Sequence, residues 1–402
     1  MLKSLKLHNF KTFLNAEITF SQRHLLIGKN NSGKTNLALA IRFLSSTATS
    51  DFESATSRIP GGIWDIRNRF LDSDEISLSC RCELEYEGQP CKYEYALKLS
   101  ITTSTSVQAN GQTQATVLEE RLWFDGANLR DVVLLESDGR EAKMLYEEQA
   151  KSDDEPQQPK TLAPRNATML SKLYELESNR RAILFRNYLR NWAYFSLSPL
   201  SMRIGSGVRD EAGWVLDIDG GNLASAIFQL KNVNERSYRR LIEHVRIVEP
   251  SLEAINFVTV PNQPPVPFVD LSEAPRTPWH SLSDGTLRVM GLALCVEQAN
   301  HFSPPNSLAP SLAVIEEPEN GIFPGQLRRI MNLFEEWAPL SQFVFTSHSP
   351  YVIDLFDDKR ESVTILRKER DRTESASPPP LDPIPDDDRF TLSTEYAAEL
   401  FQ

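Results

Sequence analysis

Apolar and polar positions alternate over residues 2–8 and 16–20, the period of a half-buried strand. His24-Leu25-Leu26-Ile27 is a short apolar run that stops at Gly28, and Asn36-Leu37-Ala38-Leu39-Ala40-Ile41-Arg42-Phe43-Leu44 is rich in helix formers. The pattern therefore predicts a buried strand, a glycine loop and a helix in succession. Alternation returns over 76–101 and 115–135. There Ile76, Leu78, Cys80 and Cys82, then Tyr93, Tyr95, Leu97 and Leu99, are spaced two apart, as in the antiparallel part of a mixed sheet. Gln108 to Gln114 reads as a hairpin tip. Residues 147–166, polar and with three prolines, read as a solvated loop. Residues 168–192 read as helix, with Leu170, Leu173, Leu176, Ile183, Leu184, Tyr188 and Leu189 to bury, and 193–197 as a strand.

The rest of the chain changes rhythm. Residues 222–248 read as helices closed by Pro250, 254–260 as a strand, and Pro261 to Pro278 as a proline-rich loop. A helix over 286–299, a buried strand over 311–315, a helix over 325–338 and a second buried strand over 342–346 give the β–α–β order of a parallel sheet. Residues 369–389, rich in Pro, Asp, Arg and Ser, read as mobile. No internal repeat and no sustained heptad are present. The expected organisation is an N-terminal part over 1–140, a linker with a helical insertion over 141–200, and a C-terminal part over 201–402.

Composition narrows the class. The 402 residues are 40% hydrophobic, enough for a sizeable core. No run of 18 apolar residues exists, so no membrane helix is expected, and the N-terminus lacks a signal-peptide block, so a cytoplasmic location is expected. Cys80, Cys82, Cys91 and Cys295 lack the paired spacing of a zinc site and read as reduced thiols in or on a sheet. A formal net charge of -12 argues against a broad nucleic-acid-coating surface, though not against a local basic stripe. Two basic groups stand out: Arg165, Lys172, Arg180, Arg181, Arg186 and Arg190, then Arg236, Arg239, Arg240 and Arg246. They read as solvated helix faces, the alternative being contacts to DNA or an acidic partner.

Four short segments carry the chemistry. Gly28-Lys29-Asn30-Asn31-Ser32-Gly33-Lys34-Thr35 matches G-x-x-x-x-G-K-[ST] between a strand and a helix. Backbone N–H groups of Asn30 to Lys34 would wrap ATP phosphates, Lys34 would neutralise the β/γ oxygens, and Thr35 would ligate Mg²⁺. Glu316, at the end of a buried strand, would hold the Mg²⁺ water shell, and Glu317 would orient the attacking water. His348, after the apolar strand Phe343-Val344-Phe345-Thr346, is placed to contact the γ-phosphate. In Leu282-Ser283-Asp284-Gly285-Thr286, Ser283 is a good helix N-cap beside an anion site.

Together these segments resemble the SMC/RecF/OLD branch of ABC-type ATPases over nearly the whole chain. Leu5-Lys6-Leu7-His8-Asn9-Phe10-Lys11-Thr12-Phe13 looks like that branch's first strand and turn, and the glycine loop like its Walker A. Ser281 to Thr286 looks like the signature, Glu316-Glu317-Pro318-Glu319-Asn320-Gly321 like Walker B and D-loop, and Thr346-Ser347-His348-Ser349-Pro350 like the switch of OLD-like ATPases. The resemblance implies an α/β, two-lobed ATPase head, with a mixed, largely antiparallel lobe, a parallel P-loop core and a short helical insertion. It implies ATP held by Gly28, Asn30, Asn31, Ser32, Gly33, Lys34, Thr35 and Asn36, with Lys11 nearby, and Mg²⁺ held by Thr35 and Glu316. Catalysis would fall to Glu317, His348 and Lys34. It further implies a homodimer or higher homo-oligomer through shared ATP sites, in which Ser283 and Gly285 act on the partner's nucleotide. Arg203 lies where the family places residues near the nucleotide, without ranking among the motif residues.

The departures are Glu316 where many relatives carry Asp, and Ile322-Phe323-Pro324 for the usual Leu-His-Pro. No glutamine-loop residue is assignable. A long coiled coil is absent, and no Toprim-like motif follows residue 356, so the chain looks like a head without its effector. The resemblance then favours an ATP-driven switch for a separately encoded nuclease or toxin in anti-phage defence, with no membrane partner. A RecF-like DNA-repair ATPase is the alternative, and the net charge leans away from it. A degenerate, non-hydrolysing scaffold is disfavoured because Lys34, Thr35, Glu316, Glu317 and His348 are all present.

Overall fold

The opening alternation becomes β1 (Leu2–Phe10), which buries Leu2, Leu5, Leu7 and Phe10. It is followed by β2 (Phe13–Thr19), β3 (Arg23–Ile27) and α1 (Lys34–Thr47). The computed structural model describes residues 1–57, 59–103, 113–126, 129–145, 160–173, 179–204, 214–259, 265–301, 310–370, 372–378 and 391–400. Two compact units share the chain. One comprises Met1–Trp192, Pro304–Leu312 and Glu361–Pro378; the other Ala193–Ser303, Ala313–Arg360 and Pro379–Gln402.

In the first unit a short α2 (Phe52–Thr56) leads to β4 (Glu75–Tyr86), β5 (Gln89–Thr103), β6 (Thr113–Gly126), β7 (Leu129–Ser137), β8 (Glu141–Met144) and β9 (Lys160–Leu162). They form an eight-stranded sheet, β2-β1-β4-β5-β6-β7-β8-β9, antiparallel throughout. Ile76, Leu78, Cys80 and Cys82 on β4 face inward with Tyr93, Tyr95, Leu97 and Leu99 on β5. Helix α3 (Arg180–Arg190) covers them through Phe185, whose ring stacks on Tyr93 at 5.2 Å. All four cysteines are buried free thiols.

The second unit opens around β10 (Trp192–Phe195), α4 (Pro199–Ile204), α5 (Leu223–Val233) and α6 (Glu235–Arg246). Strands β11 (Leu252–Val258), β12 (Val266–Leu271) and β13 (Ala274–Pro278) make a three-stranded antiparallel sheet. Then come α7 (Asp284–Asn300), β14 (Leu312–Glu316), α8 (Pro324–Trp337), β15 (Gln342–Ser347) and α9 (Pro350–Asp354). β15 is buried at every residue, as a strand covered on both faces must be. The chain returns to the first unit with β16 (Val363–Glu369), parallel to β3, and β17 (Arg372–Ala376), antiparallel to β16. Helix α10 (Leu392–Leu400) belongs to the second unit.

Four expectations need correcting. Within the described residues the helix over 168–192 is reduced to a 3₁₀ turn at Leu170–Lys172 and an α-helix at Arg180–Arg190. The buried Glu120 carboxylate accepts the N–H groups of Met169 and Leu170 (2.5 and 2.9 Å), capping the start of that separate 3₁₀ turn. Pro261 to Pro278 is not all loop, since 266–278 forms the β12–β13 hairpin. Pro267 is tolerated because the pairing with β13 begins only at Phe268, and Pro275 and Pro278 lie on the edge strand. Residues 160–162, read as loop, pair with β8 as an edge strand. Residues 372–376, read as mobile, form β17, pinned by Thr373 at 2% exposure. Most of the expected hairpin tip at 108–114, residues 147–159, and 379–389 lie outside the described residues.

Candidate functional site

The first unit holds the phosphate-loop residues. β3 delivers the chain at Gly28, where a Cβ would lie 2.2 Å from Ser32 Oγ and 2.5 Å from the Leu366 carbonyl of β16. Gly33 has φ +106°, open to glycine at little cost, and a Cβ there would meet Thr373 Oγ1 at 2.6 Å. Asn31 also has positive φ, at 67°, a conformation asparagine tolerates better than most residues. Lys34 is 7% exposed, and its Nζ donates to the carbonyls of Gly28 (2.6 Å) and Lys29 (3.1 Å), folding the side chain back over the loop. No side chain caps α1. Asn30, Asn31 and Thr35 are exposed, while the buried Ser32 Oγ has no hydrogen-bond partner.

The turn after β1 packs against this loop. Thr12 Oγ1 accepts from Asn36 Nδ2 at 3.0 Å and from Thr373 Oγ1 at 2.7 Å. Lys11 itself points its ammonium at Asp65, 3.0 Å away, so this side chain is held in an ion pair. Thr12 lies in the first strand-and-turn segment without an assigned role, and Thr373 carries no motif signal, because only β17 pairing brings it there.

The second unit holds Glu316, Glu317, His348, Ser283 and Gly285. Glu316 ends β14; its Oε2 accepts from Tyr194 at 2.8 Å and its buried Oε1 has no partner. Glu317 has φ +43°, left-handed for a non-glycine residue, which costs about 1–3 kcal/mol. Its N–H donates to Thr346 O at 2.9 Å, and its carbonyl accepts from Arg288 at 2.9 Å. Asn320 donates to Glu317 Oε2, and His348 Nδ1 lies 3.4 Å from Oε1. Glu319 accepts from Ser347 at 2.5 Å, and burial pushes its carboxyl above the usual range against that bond. Glu317, His348 and the switch strand thus form one constellation.

Ser283 caps α7, accepting from Thr286 N at 3.0 Å, and remains exposed. A Cβ on Gly285 would lie 2.6 Å from Gly321 O, so the signature turn sits directly on the loop after Glu317. Arg203 donates to Leu282 O (2.9 Å) and Asp284 (2.5 Å), holding the turn from α4. Tyr194, Arg288 and Glu319 were not assigned from sequence. Only Glu319, three residues after Glu316, offered a signal.

Several basic residues have internal partners. Arg181 packs over the rings of Tyr86 and Phe124, Arg186 donates to Leu173 O, Arg240 to Glu297 and Arg246 to Leu252 O. The reading of both groups as solvated helix faces is corrected at Arg181, Arg186 and Arg240, whose bonds or ring contacts hold the side chain within its own unit, while Arg246 stays exposed.

The donor sets suit Mg²⁺ and ATP. An unpartnered buried Glu316 oxygen, an unpartnered Ser32 hydroxyl and a helix start without a side-chain cap match a hard cation and phosphate oxygens.

A family model described as "AAA domain, putative AbiEii toxin, Type IV TA system" matches residues 23–354. No curated protein matches the chain. Among solved structures, an SMC head bound to the C-terminal winged-helix domain of ScpA aligns with TM-score 0.55 at 13% identity, covering 94% of this chain and 98% of that one. The SMC head domain of Thermotoga maritima aligns with TM-score 0.44 at 13% identity, covering 94% and 99%. An SMC head with an extended coiled coil, bound to the C-terminal domain of ScpA derived from Pyrococcus furiosus, gives 0.48 at 12% identity, covering 100% and 99%. The first alignment carries the likeness in fold. No helix among the described residues is long and apolar enough to cross a membrane.

Proposed function

The chain belongs to this AAA-domain family and is an ATPase; from that premise we propose that two copies close around shared Mg²⁺·ATP and that closure controls a separately encoded effector. The observation that carries this reading is the constrained backbone of Glu317, held at φ +43° with its carboxylate against Asn320 and His348. Strain of that kind supports a reading of function, because an ordinary strand end has no need of it.

Within each copy, the N–H groups of Asn30, Asn31, Ser32, Gly33, Lys34, Thr35 and Asn36 and the Lys34 ammonium would bind the phosphates. Thr35 and Glu316 would hold Mg²⁺, Tyr194 fixing the Glu316 carboxylate. Mg²⁺, when bound, supplies neutralisation of charge building on the phosphate oxygens. Glu317 would orient the attacking water, and His348 would contact the γ-phosphate end. Ser283, exposed at the start of α7, and the half-buried Gly285 would complete the partner copy's site. Lys11, paired with Asp65, would act on the loop through the neighbouring Thr12. The expected division into 1–140, 141–200 and 201–402 remains our proposal for how the motifs are distributed.

The family's printed description names a putative toxin of a type IV toxin–antitoxin system, which fits a chain that works with a separately encoded component. The test is mass measurement of Glu317→Gln by light scattering. In Mg·ATP it is expected to become dimeric or larger and to stay monomeric without nucleotide; a monomer throughout contradicts sharing. Duplex DNA is expected to leave wild-type turnover unchanged, and several-fold stimulation would favour the DNA-repair reading.

A further inference from the structure

Three segments of the second unit meet at one buried side chain. Arg288 is 8% exposed, on the second turn of α7, five residues after Ser283. Its Nη1 donates to Glu317 O at 2.9 Å and its Nη2 to Leu197 O at 2.6 Å. Leu197 leads into α4, whose Arg203 grips the signature turn at Leu282 O and Asp284. Gly285 adds a second point of contact, closing on Gly321 O too tightly for a Cβ. The start of α7 is therefore fastened to the Glu317–Gly321 loop twice, once by a charged donor and once by backbone packing.

The backbone of Glu317 has no slack. Its N–H is taken by Thr346 O, the residue before Ser347 and His348, and its carbonyl by Arg288. A peptide held from both ends at φ +43° moves when either anchor moves. A small displacement of α7 along its axis would reach the Glu317 carboxylate through one rigid guanidinium. Charge-assisted bonds to a carbonyl are roughly twice as strong as neutral ones, and the guanidinium that makes this one is itself buried.

We infer that Arg288 is a positioning residue that couples the signature turn to Glu317, so that a phosphate engaging Ser283 sets the catalytic carboxylate of the same copy. Each copy would then sense its partner's nucleotide before hydrolysing its own. This rests on the shared-site reading. The wild type tests that reading separately: its turnover per molecule rises with protein concentration if the site is shared, and stays flat if it is not.

The experiment compares wild type, Arg288→Met and Arg288→Lys for ATP turnover, KM, ATP-driven association by light scattering, and Tm. Coupling predicts that Arg288→Met loses about 100-fold in kcat with KM within about twofold, because a misplaced reacting group costs that much. It also predicts that Arg288→Met still associates in Mg·ATP, and that Arg288→Lys, which reaches one carbonyl, regains part of the rate. Retained turnover in Arg288→Met overturns the inference. So does joint loss of turnover, association and Tm in both variants, the mark of a core anchor. Flat wild-type turnover with no ATP-driven association removes the shared-site reading and the coupling with it.

Discussion

Two helix starts, one in each unit, are built on opposite principles. At α1 no side chain caps the N-terminus, and the loop before it is shaped by Gly28 and Gly33, whose absent Cβ atoms leave room for the Leu366 carbonyl and the Thr373 side chain. At α7 the Ser283 hydroxyl caps the helix, Arg203 from α4 holds the turn, and the adjacent loop is held by Arg288 and Ser347 from distant segments and by its own Asn320. The first arrangement leaves its donors for a ligand and suits binding. The second fixes angles among groups brought from three stretches of chain and suits control of when a reaction occurs. A change in the first region should abolish binding, and one in the second should spare binding and abolish turnover.

Glu317→Gln is the sharpest test of the second half of that contrast. Turnover is expected to fall about 1000-fold while ATP affinity, read by calorimetry, stays within about threefold. Gly28→Ala and Gly285→Ala form a matched pair for the contrast itself. The added methyl at 28 collides with Ser32 and the Leu366 carbonyl, so ATP binding and Tm should both drop. The methyl at 285 collides with Gly321 O, so turnover should fall about 100-fold with ATP still bound. Equal loss of binding in both variants would break the contrast. Tyr194→Phe removes the donor to Glu316, and about a tenfold loss of turnover, relieved by raised Mg²⁺, is expected from steady-state rates.

The smallest effect concerns the strand before the phosphate loop. Burial lowers the His24 pKa from 6.5 to about 3, and its Nε2 lies 3.0 Å from Thr364 Oγ1 on β16. Folded His24 stays neutral while unfolded His24 takes a proton, so its contribution to stability is lost as pH falls through 6.5 toward 3. Tm should therefore decline more steeply between pH 6.5 and 4 in wild type than in His24→Gln, and parallel curves would exclude this account.

The same contrast governs what the sequence makes legible. The phosphate loop is contiguous, and its glycines and Lys34 spell the site in eight residues. Glu316, Glu317 and His348 end apolar strands and are readable as strand ends. Arg288 and Tyr194 are not, because a guanidinium serving carbonyls and a phenol serving a carboxylate leave no spacing rule. Thr373 was hidden in a polar stretch that reads as loop until β16 offers it a partner. The pattern over 168–192 reads as one helix because Glu120, which caps a separate 3₁₀ turn at Leu170–Lys172, lies about fifty residues away in sequence. Prolines over 261–278 pointed to a loop, although a strand edge has no need of their missing N–H groups.

The most direct measurement mixes two inactive variants, Ser283→Arg and Glu317→Gln, and follows phosphate release with Mg·ATP. A shared site predicts turnover above the sum of the two alone, since a mixed dimer joins an intact Glu317 in one copy to an intact Ser283 in the other, at a rate held below wild type by the lost Ser283 contact of the hydrolysing copy. A mixture no more active than its parts would contradict the claim that each copy completes its partner's site.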